Sequence, residues 1–296
     1  MSTRSKHFPI LFLIAIVFLI YLINVKDTGP AITENRKSRV PLFEKWHKRA
    51  VEVISKEHDP EKFWHGLQKI SNKLDQYVKV HDEFNLVPLR NMDEVKYGIL
   101  PKNTSKSRNI LVTLGIGNDI TAEKSLKSKI EAIGQKIQFY GADPILVSNQ
   151  KIYQEIGTYF PFAVGGDGGY GKASVLENGQ YVDKNVLYID ILYFIQNILK
   201  EKIIDYLWVD AEWAEYNMLD IFYQDGRLNR NSITFCQMSI ELHSPSHEQM
   251  VQFITFIKRI LDEKNFGFFY LSNVGHMRVW FFNFGSDYCI DKFLKV

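Results

Sequence analysis

The sequence predicts an α/β protein whose central sheet has five parallel strands followed by a C-terminal antiparallel hairpin. From Asn109 onward, short apolar runs alternate with helix-like stretches of ten or more residues, the pattern of parallel strands joined by helices. Near the C-terminus the aromatic-rich runs FGFFYLSN and MRVWFFNF are separated only by residues 274–276. A connection this short makes the two strands antiparallel neighbours. A dinucleotide-binding sheet with six parallel strands has no such hairpin.

Residues 1–25 are predicted to form a short cytoplasmic tail and a transmembrane anchor. Residues 8–25 are eighteen consecutive uncharged residues, which at 1.5 Å per residue nearly match the ~30 Å hydrocarbon core of a bilayer. The run is longer than the apolar part of a typical cleaved signal peptide, and no small-x-small cleavage site is evident. We therefore expect a single-pass membrane protein.

Charge does not fix the orientation of this anchor, because Lys and Arg residues lie on both sides of it. A short tail before a large domain favours a type II protein of the endoplasmic reticulum or Golgi, with its domain in the lumen. The glycosylation sequon Asn103-Thr104-Ser105 agrees with a lumenal domain. A domain facing the cytosol is the open alternative.

Three segments follow the anchor. Residues 26–40 are polar, which is typical of a stem or linker. Residues 41–102 are predicted to be a helical extension, and its second amphipathic helix begins at Asp59-Pro60, with Asp as N-cap and Pro as the first helical residue. Within this extension, residues 84–102 are expected to be irregular. Residues 103–296 are predicted to be the main domain.

The elements of the main domain follow from the alternation of apolar runs and amphipathic stretches. The five parallel strands are predicted within residues 109–117, 136–144, 160–166, 205–210 and 232–243. The helices that follow the first, third and fifth strands are predicted within residues 121–134, 190–200 and 247–264.

Ligands of open α/β sheets bind beyond the carboxyl ends of the strands. The first strand exit carries Gly115 and Gly117, which let a ligand approach the backbone before the next helix. The second exit carries Asp143, an acid that suits a ribose diol, and the third is a glycine-rich loop around Asp167 that suits an adenine. Plain turns and a disordered loop are the alternative interpretations of these three exits.

Carboxylates and a histidine mark the fourth and fifth exits. On an extended strand, Asp210 and Glu212 share a face, and two convergent carboxylates suit either a divalent cation or a cationic group. Glu241 and His243 follow on the neighbouring strand, where either side chain is able to accept a proton from a hydroxyl. Ordinary solvated strand ends are the alternative.

Several motifs in this order resemble those of FkbM-type methyltransferases. Ile189-Asp190 is similar to the family's Leu-Asp motif, and Asp210, Glu212 and Glu215 are similar to the acids of its Asp-x-Glu-Gly-x-Glu motif. The segments NLVPLRNMDEVKYG, VTLGIGND and FYGADP resemble the nematode branch of the family. The resemblance covers roughly residues 85–296.

The resemblance implies a Rossmann-like class I methyltransferase sheet and S-adenosylmethionine as cofactor. The cofactor-binding residues that it implies are Gly115, Gly117, Asp119, Asp143, Asp167 and Asp190. The catalytic residues that it implies are Asp210, Glu212, Glu241 and His243.

The sequence departs from the family pattern at two places. The first motif, Asp-x-Gly-Ala-Asn-x-Gly in the family, is here TLGIGND, without the leading acid and the last glycine. Trp213 stands where the family has the glycine that follows Asp-x-Glu. We expect the Trp213 ring to narrow the entrance for substrate.

The function that best fits these features is methyl transfer from S-adenosylmethionine to a hydroxyl of a glycan, a lipid or a small molecule, with no requirement for metal. One alternative is a membrane-anchored lumenal glycosyltransferase that uses Asp210 and Glu212 to hold a metal ion. Another is a non-catalytic member of the methyltransferase family, because the first motif is incomplete. A nicotinamide-dependent dehydrogenase explains the C-terminal hairpin poorly.

The composition limits partners and redox chemistry. The net charge is only +2, from 36 basic and 34 acidic residues, which gives no case for a nucleic-acid partner. The two cysteines, Cys236 and Cys289, lack metal-binding spacing. They form either one disulfide in an oxidising compartment or two free thiols.

Overall fold

The computed structural model describes residues 39–80, 84–102, 108–177 and 180–295. The predicted anchor, residues 8–25, and the sequon at Asn103 lie outside these ranges and stay predictions. Across the part of the chain that is described, no helix combines the length and apolar character needed to cross a bilayer.

The main sheet has seven strands in the order β11-β12-β10-β9-β3-β4-β5. The strands of this sheet are β3 Asn109–Leu114, β4 Ile137–Ala142, β5 Thr158–Phe160, β9 Ile203–Val209, β10 Thr234–Leu242, β11 Phe266–Asn273 and β12 Met277–Asn283. Strands β5, β4, β3, β9 and β10 are mutually parallel, and β12 pairs antiparallel with both β10 and β11. The predicted sheet of five parallel strands and a terminal hairpin is confirmed.

Helices precede the first strand, connect strands of the main sheet and follow the last strand. They are α1 Pro41–Ile54, α2 Pro60–Val78, α3 Thr121–Ala132, α4 Leu146–Tyr153, α5 Ile191–Tyr193 with the π-helical turn Phe194–Leu199, the 3₁₀ turn Tyr216–Phe222, α6 Arg227–Arg230, α7 His247–Glu263 and α8 Asp287–Phe293. Asp59 caps α2 as predicted, because its side chain accepts hydrogen bonds from the main-chain N–H groups of Glu61 and Lys62.

Helices α1 and α2 pack directly on the main sheet. The buried Trp46 of α1 contacts the rings of Phe268 and Phe269 on β11, with centroid distances of 5.2 and 5.0 Å. Trp64 of α2 meets Phe253 of α7 edge to face. These aromatic contacts join the helical extension to the same hydrophobic core as the sheet.

The expectation that residues 84–102 are irregular is wrong. They contain the antiparallel strands β1 Leu86–Arg90 and β2 Val95–Ile99, joined by a four-residue turn. The Ile99 N–H donates to the Gln237 side chain at 2.7 Å, and the Tyr206 hydroxyl donates to the Ile99 carbonyl at 2.8 Å. Side chains of the main sheet therefore supply the hydrogen bonds that place this hairpin.

The predicted third strand, residues 160–166, also needs correction. Residues 158–160 form β5 at the edge of the main sheet, and Pro161 separates them from β6, Ala163–Gly165. Strand β6 belongs to a separate sheet of order β6-β8-β7, completed by β7 Gly169–Glu177 and β8 Gln180–Asp190. Much of the glycine-rich stretch expected to be a loop therefore lies in strands that pair with β8.

A disulfide joins the sheet to the last helix. Cys236 of β10 and Cys289 of α8 are bonded, with their Cα atoms 5.2 Å apart. Nearby, the buried ammonium of Lys292 on α8 lies 2.7 Å from the carboxylate of Asp205 on β9. The choice between one disulfide and two free thiols is thus decided in favour of the disulfide.

Candidate active site

A crevice opens at the carboxyl ends of β3, β4 and β9. The Gly115 N–H donates to the Ala142 carbonyl at 2.9 Å, and Gly115 has φ +84°. A Cβ atom at Gly115 would lie 1.7 Å from the Asp210 carbonyl oxygen, so only glycine fits there. Gly117 has φ +59°, and a Cβ there would have nothing within 4 Å. The open space beside Gly117 is where a ligand is able to approach the main chain.

Asp143 holds the glycine turn in place. One carboxylate oxygen accepts the Ile116 N–H at 2.8 Å, and the other accepts the Ile145 N–H at 2.7 Å. Burial is the largest influence on this carboxyl and raises its pKa, while the two main-chain hydrogen bonds oppose that shift. The Asn149 side chain and the Gly117 main chain act in the same direction as these hydrogen bonds, and Asp143 lines the crevice, so its proposed contact with a ribose hydroxyl stays a prediction.

The other three predicted cofactor acids lie outside the lining of this crevice. Asp119 accepts the N–H groups of Thr121 and Met92, which ties the start of α3 to the β1–β2 turn. Asp190 caps α5 and forms an ion pair with Arg227 at 2.6 Å. Asp167 lines a neighbouring opening beside Trp213. The contacts of Asp119 and Asp190 serve the fold, and a cofactor role for these three acids stays a prediction.

The outer wall of the crevice is apolar and narrow. Ala163, Val164, Ala173 and Val175 of the smaller sheet line it together with Tyr188. The cavity volume is about 80 Å³, whereas pockets for small-molecule ligands usually have volumes of about 300–1,000 Å³. The crevice as it stands is therefore smaller than a site for a whole nucleoside cofactor.

Three of the acids that follow β9 converge on one imidazole. The nearest oxygens of Asp210 and Glu212 lie 3.5 and 3.3 Å from His243 Nε2, and Glu215 Oε1 lies 3.0 Å from His243 Nδ1. The expectation that Asp210 and Glu212 share a strand face is wrong, because β9 ends at Val209. A turn in which Glu212 has φ +48° brings the two carboxylates together instead.

His243 and Glu215 are buried, whereas Asp210 and Glu212 are partly exposed. Burial acts to lower the pKa of His243, but its hydrogen bond to Glu215 and the surrounding carboxylates outweigh that effect and raise the pKa to about 9. Burial and then the negative charge of Glu241 raise the pKa of Asp210. The predicted catalytic residues omitted Glu215. Its place in the family's acidic motif was the signal that could have found it.

Trp213 stands at the mouth of the cluster. Its indole N–H donates to the Ser244 carbonyl at 3.0 Å, and its ring centroid lies 5.4 Å from that of His243. The residue has φ +71°, in the left-handed region that glycine adopts most easily. This backbone geometry explains why a glycine suits the same position in the family motif.

A much larger cavity, of about 780 Å³, lies between α2, the β1–β2 turn and strands β10 to β12. Its charged lining residues are Asp75, Lys79, Arg90, Asp93, Glu94, Lys96, Glu241 and Arg278. Glu241 is held by two hydrogen bonds from Arg278, at 2.9 and 3.1 Å, and the buried Lys96 forms an ion pair with Glu94. The rings of Tyr97 and Tyr270, which also line the cavity, are stacked at 4.4 Å.

Asp210 lies close to both the crevice and the larger cavity. This residue lines the crevice, and a carboxylate oxygen of Asp210 lies within 4.8 Å of oxygens of Glu94 and Glu241 in the cavity. The structure therefore brings together, around one carboxylate, the predicted residues Glu212, Glu241 and His243. We call the crevice and the larger cavity together the two-chamber site.

The strand order and the glycine turn define the class of protein: a Rossmann-like methyltransferase fold with its ligand crevice at the carboxyl edge of the sheet. The chain belongs to the FkbM methyltransferase family, because the model of the methyltransferase FkbM domain matches residues 58–287. Proteins of this type generally use S-adenosylmethionine. Neither curated proteins nor solved structures gave a match to the chain.

Proposed function

We propose that this protein is an S-adenosylmethionine-dependent methyltransferase that methylates a hydroxyl oxygen. The observation that carries the proposal is the two-chamber site, in which Asp210 lines the glycine-lined crevice and its carboxylate lies close to Glu94 and Glu241 of the polar cavity. Methyl transfer is an in-line displacement, so its rate depends on holding donor and acceptor on opposite sides of the methyl group. A crevice and a cavity that both lie close to the Asp210 carboxylate suit this need to hold donor and acceptor on opposite sides.

Each chamber has a distinct task in this proposal. The cofactor, when bound in the crevice, supplies the electrophilic methyl group. The main chain at Gly115 and Gly117 lets its methionine part approach, and Asp143 accepts from its ribose. Beside the cavity, Asp210 accepts a hydrogen bond from the acceptor hydroxyl, aligns it and takes its proton as the methyl group passes from the sulfur of the cofactor to the hydroxyl oxygen. Glu241, fixed by Arg278, lines the cavity.

The lining of the cavity favours a neutral, hydroxyl-rich acceptor such as a glycan. Four acids and four basic residues line it, so it presents no net charge to a ligand. Fixed carboxylates and ammonium or guanidinium groups suit hydroxyls, which both donate and accept hydrogen bonds. An acyl chain would instead require a largely apolar pocket. The charged lining therefore favours a hydroxyl-rich glycan or small molecule over an acyl chain.

We further infer that the domain faces the lumen of the endoplasmic reticulum or Golgi, held by the anchor predicted at residues 8–25. The Cys236–Cys289 disulfide supports this location, because disulfides persist in oxidising compartments. The test is the electrophoretic mobility of the protein expressed in its host cells, before and after deglycosylation. A shift that disappears in Asn103→Gln is expected, and an unshifted wild type argues for the cytosolic side.

Calorimetric titration of the full chain with S-adenosylmethionine tests the activity. We expect one cofactor to bind, and Asp143→Ala to lose binding while the control Asp262→Ala, at an exposed position on α7 outside the crevice, retains it. If Asp143→Ala fails to fold, Asp143→Asn takes its place in the titration, because asparagine keeps one acceptor oxygen. A folded wild type that binds a nucleotide sugar with manganese instead would support the glycosyltransferase alternative. Binding of neither ligand would indicate a non-catalytic family member.

A further inference from the structure

The side chains of Asp210, Glu212 and His243 point their ligating atoms at one another, and all of these atoms lie within 4.8 Å. Two of the separations, from His243 Nε2 to the nearest carboxylate oxygens, are 3.5 and 3.3 Å. Zinc–ligand bonds of ~2.0–2.1 Å in a tetrahedral site place neighbouring ligand atoms ~3.3–3.4 Å apart. These two separations match those of neighbouring ligands around a single divalent cation.

The other ring nitrogen of His243 supplies an independent observation. Its Nδ1 lies 3.0 Å from Glu215 Oε1, and the Glu215 side chain is fully buried. The same oxygen accepts the Ala211 N–H at 2.8 Å, which fixes the carboxylate in turn. Histidines that bind metal usually donate their second N–H to such a carboxylate, which fixes the tautomer and directs the free nitrogen at the cation.

Further carboxylates surround the cluster. Glu215 lies against His243 Nδ1, and oxygens of Glu94 and Glu241 lie within 4.8 Å of an Asp210 oxygen. A divalent cation held at Asp210 would offset the repulsion among these neighbouring carboxylates.

We propose that Asp210, Glu212 and His243 bind one divalent cation with a mixed preference for nitrogen and oxygen ligands, of the Mn²⁺ or Zn²⁺ type. Three protein ligands leave at least one coordination position for an external ligand, as in catalytic rather than structural sites. The role of this cation rests on the proposed function: it orients the acceptor hydroxyl between the crevice and the cavity. Binding of the cation itself does not depend on that function.

The test is a calorimetric titration of the metal-stripped full chain with Mn²⁺, Zn²⁺ and Mg²⁺ in separate experiments. We expect one equivalent of Mn²⁺ or Zn²⁺ to bind, with Mg²⁺ binding more weakly because of the imidazole ligand. Glu215→Gln should weaken affinity by about 10–100-fold, and Glu212→Gln and His243→Ala should weaken it further. The exposed His247 lies apart, beside Glu61, so His247→Ala is the matched control and should retain the affinity.

Circular dichroism identifies variants that fail to fold. If His243→Ala is one of them, the isosteric variant Glu212→Gln tests the site in its place. Affinity weaker than about 1 mM in the folded wild type, the upper limit of extracellular calcium modules, would overturn the proposal. So would affinity unchanged in Glu212→Gln. The cation site and the methyltransferase function can fail separately. Cation binding without S-adenosylmethionine binding would support the cation site and contradict the methyltransferase function. S-adenosylmethionine binding without cation binding would support the methyltransferase function and contradict the cation site.

Discussion

Replacing Glu123 by glutamine should change how the stability of the protein depends on pH. Glu123 lies in the first turn of α3, almost fully buried, and its Oε1 accepts the Thr113 hydroxyl at 3.2 Å. The groups that face it are the ammonium of Lys96, the carboxylate of Asp119 and the phenol of Tyr153. Burial is the dominant influence and raises the pKa of Glu123 from 4.5 to about 7, although Lys96 opposes that rise.

The sign and the size of the effect follow from this pKa. Between pH 4.5 and about 7 the folded protein keeps the Glu123 proton, whereas the unfolded chain releases it. The free energy of unfolding therefore falls as pH rises through this window and becomes level above it. A rise of 2.5 pKa units (7 − 4.5) at ~1.36 kcal/mol per unit corresponds to a loss of about 3 kcal/mol. The glutamine side chain of the Glu123→Gln variant does not titrate, so the variant avoids this loss.

Urea denaturation of wild type and Glu123→Gln at about pH 4.5 and pH 8 measures this difference directly. The stability of the variant relative to wild type should rise by about 3 kcal/mol between the two pH values. All other titrating groups are common to both proteins, so their contributions cancel in the comparison. Parallel pH profiles for the two proteins would show that Glu123 titrates normally and that its burial costs little.

Three further predictions concern the disulfide, the glycine turn and the smaller sheet. The double change Cys236→Ala and Cys289→Ala should lower the free energy of unfolding by about 4 kcal/mol, since the bond closes a loop with a sequence separation of 53; a loss under about 1 kcal/mol would contradict this. Gly117→Ala should weaken S-adenosylmethionine binding in the calorimetric titration, because its Cβ would fill the open space where the cofactor approaches the main chain, at a cost of only about 1–2 kcal/mol of backbone strain. Gly134→Ala, also at positive φ (+75°) with open space around it but outside the crevice, is the matched control, and equal affinities in the two variants would refute the close approach. Hydrogen exchange in β7 and β8 should change when S-adenosylmethionine binds, because the crevice of about 80 Å³ has to widen; identical exchange with and without cofactor would show that the smaller sheet is a fixed wall.

The long strands of the main sheet were predictable because they are rich in apolar residues and, apart from the terminal hairpin, are separated by helical stretches. Strands β1, β2 and β6 to β8 were not predictable in the same way. They are short or rich in Gly, Pro and polar residues, and their positions depend on hydrogen bonds from distant residues such as Gln237 and Tyr206. No local pattern carries information of that kind.

The site was predictable only in part for a related reason. Strand ends show where side chains cluster, and this placed Asp210 and His243 correctly beside each other. An isolated acid at a helix start, however, is equally suited to a ligand and to a cap. Asp119 and Asp190 both bind main-chain N–H groups at such positions, which the sequence alone does not distinguish from ligand binding.

The packing of α1 and α2 determines how short a fragment can be and still keep the core and the large cavity intact. Helix α2 forms one wall of the large cavity, and α1 contributes Trp46 to the core. Just before α1, Arg39 bonds to Asp287 and Asp291 of the last helix. A shortened protein that starts at the first strand of the main sheet would expose these aromatic rings and open the acceptor space to solvent. A fragment for crystallisation or inhibitor screening should therefore begin no later than Arg39.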